Sequence, residues 1–311
     1  MSEQKIAFVF PGQGSQTVGM LADLYQAHAC VKQTFEQASD ALGYDLAKII
    51  LDGPAEDLGK TEITQPALLT ASTAVYRLLT EKGVGAPAFM AGHSLGEYSA
   101  LTAAGVIAFD DAVKLVELRG KAMQQAVPQG VGAMAAIIGL DDAAVIAACQ
   151  QASGNEIVAA VNFNSPGQVV IAGHKAAVDA ASVLCKEAGA KRALPLPVSV
   201  PSHCELMKPA AEQLAQAFAD IKFSAPSVSV INNVDVKVET NAEAIQQALV
   251  RQLYCPVRWT ETVEFLASQG VTQLVEVGPG KVLNGLTKRI VKTLTAVSVN
   301  DEASLESYIN G

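Results

Sequence analysis

Residues Ile6-Ala7-Phe8-Val9-Phe10 form an unbroken apolar run, the mark of a strand buried on both faces of a parallel sheet. Shorter runs at Ala88-Phe89-Met90-Ala91, Val228 to Asn232 and Leu274-Val275-Glu276-Val277 repeat the signal. Between them the apolar spacing is helical. In Gln65 to Lys82, apolar side chains recur at 67, 68, 71, 74, 75, 78 and 79, one face of a helix. Helices are also predicted over Leu21 to Leu42, Glu97 to Ala104, Asp111 to Gln125 (with Asp110 as N-cap), Glu205 to Ala219, Ala242 to Tyr254, Trp259 to Ser268 and Val282 to Lys292. Gly43, Gly53-Pro54, Gly83 and Gly105 punctuate them. Strands alternating with helices predict an α/β fold around a parallel sheet.

The texture changes over 131–198. Ala133 to Ile138, Ile157 to Phe163, Val169 to Ala172 and Lys191 to Leu196 read as strands, while Asp141 to Ala152 and Lys175 to Ala188 read as helices. The order β-α-β-β-α-β is that of a ferredoxin-like unit. This stretch is therefore expected to be an inserted small domain, with 1–130 and 199–311 forming the larger one. Gly130 and Gly132 on one side, and Pro195, Pro197 and Pro201 on the other, are the expected hinges.

Composition narrows the class. The 311 residues are 50% apolar and 17% charged, with a net charge of −9. That excludes a disordered chain and disfavours a basic nucleic-acid binder. Five scattered cysteines without a C-x-x-C pair predict reduced thiols and a cytoplasmic protein. The apolar run near the N-terminus is too short for a signal peptide, and no run approaches a membrane span.

Candidate chemistry centres on Gly92-His93-Ser94-Leu95-Gly96, which fits G-x-S-x-G. A serine on a sharp strand-to-helix turn is a nucleophile elbow, and its glycines let the two chain arms pass closely. The turn Pro11-Gly12-Gln13-Gly14-Ser15-Gln16 follows the first strand, where α/β proteins place ligands. Thr17 occupies the third glycine position of a dinucleotide fingerprint, and no Gly-Lys-Ser/Thr is present. The remaining use of such a turn is to present backbone N–H groups to an oxyanion. Of the four histidines, His28 and His174 lie in polar contexts and read as solvent-facing. His93 diverges from Ser94 on the turn. His203, in a loop after an apolar strand, is the general-base candidate by elimination. Arg119 lies among apolar helix positions, and a solvated arginine is the default for such a residue. Trp259 reads as a packing anchor.

Taken together, PGQGSQ (11–16), QPALL (65–69), GHSLGEY (92–98), RG from Arg119, NFNSPGQ (162–168), LPVSVPSHC (196–204), RQLYCPVRW (251–259) and EVGPGKVL (276–283) resemble the malonyl-CoA–acyl carrier protein transacylases of bacterial fatty acid synthesis. The stretches span nearly the whole chain. The resemblance implies an α/β-hydrolase-like core with a parallel sheet plus the ferredoxin-like insert. It implies Ser94 as nucleophile, His203 as base, and Gln252 orienting that base through its backbone carbonyl. Gln13 and Leu95 would supply the oxyanion-hole N–H groups, and Arg119 would pair with the malonyl carboxylate, which reverses the solvated default. Met123, Asn162 and Val200 are expected near the acyl group. Malonyl-CoA and an acidic acyl carrier protein are the implied partners, with no cofactor, metal, nucleic acid or membrane, and a monomeric state. The nucleophile, base and oxyanion hole suit a serine hydrolase equally well. An inactive docking module for the carrier is the other alternative. Only the resemblance points to transfer.

Overall fold

A computed structural model describes residues 4–198 and 200–311. Ser199, where the larger unit is expected to resume, lies outside the described residues. Among the described residues, nine strands form two sheets: β1 Ile6–Phe10, β2 Phe89–Gly92, β3 Gly132–Ile138, β4 Val158–Ser165, β5 Gln168–His174, β6 Arg192–Pro195, β7 Ser229–Ile231, β8 Gln273–Val277 and β9 Thr295–Val299. The first sheet runs β7-β2-β1-β8-β9, with every pairing parallel. The second runs β4-β5-β3-β6, with every pairing antiparallel. With the helices Asp142–Ala152 and Lys175–Glu187, the second sheet has the ferredoxin-like order of elements expected from the pattern.

The apolar run of β1 has a direct reading in the core. Phe8 and Phe10 pack on one face with Tyr98 and the helix Thr61–Glu81. Ala7 and Val9 pack on the other with Trp259, Val263 and Leu283. Trp259 is fully buried, as a packing anchor should be. Because β1 is central, it needs apolar side chains on both faces.

Several element boundaries differ from the pattern. The helix of the 65–82 region starts one turn earlier, at Thr61, and carries Pro66 inside it. Pro66 is the sixth residue of that helix, so it forfeits the bond its N–H would have given to the Glu62 carbonyl, and the helix continues through it. The stretch 21–42 is two helices, Ala22–Ala27 and Ala29–Leu42, broken where His28 turns extended. The helix expected from Asp111 starts at Phe109, and Ala108, not Asp110, is its N-cap. Past Lys292, where the pattern assigns nothing, the structure adds β9 and the helix Glu302–Asn310, capped by an Asp301–Ser304 capping box.

The register brings the chemistry to one edge. Phe10 pairs with Gly92 and Val9 with both Ala91 and Glu276. The loops after β1 and β2 therefore leave the sheet side by side, and the His93 amide donates to the Phe10 carbonyl at 3.1 Å. The second sheet is tied by backbone to the segment that precedes the helix Trp259–Ser268. Val257 donates to Val161 at 2.8 Å and accepts from Phe163 at 3.0 Å, forming a parallel bridge opposite Asn162.

Candidate active site

The elbow is built by close approach. Ser94 sits at φ 53°, ψ −109°, between β2 and the helix Leu95–Ala103. Few side-chain-bearing residues hold such a backbone unless their surroundings enforce it. A Cβ on Gly92 would collide with the Gly96 backbone, and one on Gly96 with the Phe10 carbonyl. Asn233 pins the turn from outside: its side-chain amide donates to Gly92 O at 2.7 Å and its Oδ1 accepts from the Ser94 N–H at 2.8 Å.

The loop after residue 200 carries His203, itself at φ 64° and buried. Its Nε2 lies 2.8 Å from Ser94 Oγ, and its Nδ1 lies 2.6 Å from the backbone carbonyl of Gln252. A carbonyl can only accept, so Nδ1 carries the proton and Nε2 is the free acceptor facing the serine. Burial first, and the nearby Arg119 charge second, push the imidazole down to about 3. It therefore stands neutral and ready to take a proton.

Arg119 is 1% exposed, so the solvated default is corrected. It projects from the helix Phe109–Gln125. One amine nitrogen donates to Gln65 Oε1 at 2.9 Å, and the other to Gln252 Oε1 at 2.9 Å and toward Ser94 Oγ at 3.4 Å. The guanidinium lies 5.3 Å over the Tyr98 ring. Its Nε has no partner among the described residues. The directly bonded partners are neutral, so the site holds a buried cation whose own contacts supply no anion. Such a charge is costly to bury, and a carboxylate in bidentate contact is the ligand that best relieves it.

A cavity of about 270 Å³ opens over these groups. Its lining includes Gln13, Leu95, Met123, Asn162 and Val200, as well as Ser94, Arg119 and His203. Gln252 is wholly buried behind it. The second sheet contributes Met134 and Val170 to an apolar wall, which Leu196 and Val198 extend in the segment after β6. Leu95 opens the elbow helix, so its N–H is among the first-turn amides that a helix leaves without an internal acceptor.

Three residues at the site escape sequence reasoning: Gln65, Asn233 and Glu97. Gln65 and Glu97 lie within QPALL and GHSLGEY, but their partners are 54 to 155 positions away. Two histidine readings also change. His28 is bonded to Glu302 at 2.8 Å, and His174 Nδ1 accepts from the Ile157 N–H at 2.9 Å. His93 turns its ring to Asn164 Oδ1 at 2.7 Å and against Trp259, away from the serine's base. Among the described residues, no group of three or more His, Cys, Asp or Glu side chains is arranged to hold a metal ion.

The chain is similar to known proteins over almost its whole length. The family model for the acyl transferase domain matches residues 7–310. The chain is 66% identical to the malonyl CoA-acyl carrier protein transacylase of Escherichia coli K12, covering 98% of this chain and 99% of that one. Against the Haemophilus influenzae protein of the same name it is 68% identical, covering 98% of each. Among solved structures, an acyl carrier protein S-malonyltransferase from Vibrio cholerae superposes with a TM-score of 0.96 at 65% identity, over 98% of this chain and 100% of that one. A type II PKS acyl-carrier protein in complex with its malonyl-transacylase gives a TM-score of 0.98 at 63% identity, over 99% of each chain.

Proposed function

The chain belongs to the acyl transferase family, among the malonyl CoA-acyl carrier protein transacylases, and we propose that Ser94 is the residue on which its acyl group rides. The enzyme transfers the malonyl group from malonyl-CoA to acyl carrier protein, feeding fatty acid synthesis. The observation that carries the residue assignment is Arg119: a buried guanidinium with neutral bonding partners, 3.4 Å from the nucleophilic oxygen. An uncharged acyl group would offer that guanidinium no anion in direct contact.

His203 Nε2 takes the Ser94 proton as Oγ attacks the thioester carbonyl. The N–H groups of Gln13 and Leu95 receive the oxyanion, each worth ~3 kcal/mol to the transition state. As the carbonyl re-forms, the C–S bond breaks and His203 returns the proton to the departing CoA thiolate. The carrier's phosphopantetheine thiol then attacks the malonyl-serine ester along the reverse path. Gln252 O holds the imidazole by the bond an acidic residue makes in other triads. Arg119 holds the malonyl carboxylate, while Met123, Asn162 and Val200 bound the acyl group. The apolar wall from the second sheet suits the pantetheine arm.

The carrier approaches, in this reading, through local positive charge. Exposed Lys191 and Arg192 on the second sheet, and Lys281, Lys288 and Arg289 beside the cavity mouth, are the candidates. The enzyme is read as a cytoplasmic monomer; no described helix is long and apolar enough to cross a membrane.

Mass spectrometry of the intact protein after malonyl-CoA tests the assignment. The expected result is one malonyl increment on Ser94, discharged by carrier protein. Prompt release of free malonate without carrier would make the protein a hydrolase instead, and no adduct at all would leave only a docking module.

A further inference from the structure

Gln252 joins two opposite charges. Its side-chain Oε1 accepts from Arg119 at 2.9 Å, and its Nε2 donates to Glu97 Oε2 at 2.8 Å and to the Ser94 carbonyl at 2.9 Å. A primary amide has one accepting end and one donating end. The anion on one side and the donor-only guanidinium on the other fix which way it points. Glu97 is 2% exposed, and the same Oε2 also accepts from the Asn233 N–H at 3.0 Å. Glu97 is thus the buried counter-charge of Arg119, one amide away and on the side remote from the cavity.

The surroundings of Glu97 hold few other charges. The buried residues of the helix Thr61–Glu81, β1 and β2 include no charged side chain. Beyond β7 stands Asp235, which is committed to a two-pronged pair with Arg251. Tyr98 is the next residue on its own helix, and His203 lies past Gln252. Among the described residues, Arg119 is therefore the one cation acting closely on Glu97. An acyl carboxylate placed on the far side of Arg119 would become a second anion drawing on that single cation.

Resting on the reading of Arg119 given above, we propose that Glu97 takes up a proton from solvent when a malonyl carboxylate pairs with Arg119, so that loading of the acidic substrate binds a proton. The balance is simple: the proton joins a Glu97 carboxylate oxygen, no bond to carbon changes, and the buried cluster keeps one anion for its one cation. Burial, opposed by the bonds from Gln252 and Asn233 and by the Arg119 charge, already places Glu97 at about 7. Sharing Arg119 with a second anion moves it upward. Glu97 is a positioning residue, since it touches neither substrate nor reacting atoms. Its charge still opposes entry of the substrate's charge.

The sign follows from linkage. A step that binds a proton weakens as pH rises above the free enzyme's value for that group, by up to tenfold per pH unit. In the wild type, the malonyl-CoA concentration giving a half-maximal acylation burst should climb above pH ~7. In Glu97→Gln it should stay level, because both bonds land on one oxygen that a glutamine carbonyl can replace. Proton uptake read with an indicator dye in weak buffer, corrected for ionisation of the released CoA thiol, should approach one per malonyl-enzyme at pH ~8 in the wild type and zero in the variant. Adduct formation is followed by mass in the same samples. If no malonyl adduct forms, the function reading fails. If the adduct forms without proton uptake, or both proteins share one pH profile, the Glu97 proposal alone fails. Should the variant not fold, the wild-type proton count decides by itself.

Discussion

Arg119 and His203 show how single side chains divide the work. Replacing Arg119 by alanine removes the charge that an uncharged acyl group would leave without a carboxylate in contact. The variant should lose malonyl transfer by ~10²-fold or more while keeping or gaining transfer of uncharged acyl groups. Arg119→Lys keeps the charge without the fork and should fall between. Acyl-CoA competition assays separate these outcomes, and an unchanged malonyl preference in the alanine variant would refute the assignment. His203 predicts a pH effect. A histidine held below its ordinary value stays neutral, and so competent as a base, until pH falls toward that lowered value. The acid limb of kcat/KM for acylation should therefore lie well below pH 6.5, and a limb at 6.5 would contradict the neutral, buried base. Legibility at this scale was uneven. Ser94 stood out because its signal is local, with two glycines within two positions. Arg119 did not, because Gln65 and Gln252 come from 54 and 133 positions away. Gln252 was legible only through family resemblance, since its bond to His203 comes from the main chain, and any residue type supplies a carbonyl.

Elements rather than side chains place these groups. The helix Val282–Ile290 begins at the cavity mouth, and its first amides are received by a strand residue: Glu276 of β8 accepts from Leu283 N at 3.1 Å and Asn284 N at 2.8 Å. This is N-capping by a side chain from another element. Burial holds the Glu276 carboxyl above its usual range while these donors pull it back. Glu276→Ala should cost ~1–2 kcal/mol in denaturant unfolding, as loss of a cap does, with more added for the amides it leaves buried. The elbow makes a sharper case. Gly96→Ala drives a methyl into the Phe10 carbonyl, so a strongly lowered Tm is expected, where a surface Gly→Ala would be nearly silent. The helices and central strands were readable because their periodicity records one or two buried faces. β9 was not. It lies at the sheet edge, half-buried for most of its length, and its pattern of burial resembles neither a two-faced nor an alternating strand. The early start at Thr61 escaped for a related reason: a proline ordinarily signals a boundary, and here it sits inside the helix.

For the molecule as a whole, a net charge of −9 opposes any acidic partner at long range. Transfer to the carrier should therefore depend on the local positive edge formed by Lys191, Arg192, Lys288 and Arg289, which meets the second sheet where Arg289 bonds Gln168 at 2.8 Å. Raising the salt to about 1 M shrinks the screening length to ~3 Å. Carrier-side transfer should then slow more than acylation by malonyl-CoA, and equal slowing of both half-reactions would argue against an electrostatic approach. The two-sheet plan was legible because each sheet has its own sequence texture. How the second sheet is tied to the rest of the chain was not, because the bridge from Val257 to Val161 and Phe163 is main chain to main chain. That bridge has a mechanical consequence. The six residues 252–257 form a strut: at one end the Gln252 carbonyl holds the imidazole, and at the other Val257 carries strand β4 and the Asn162 wall of the cavity. The proton acceptor and the channel wall are thus referenced to one short rod, as a jig holds tool and workpiece from one datum. A shift of the wall carries the base with it, and the alignment between acyl group and imidazole survives movements that neither sheet could correct alone.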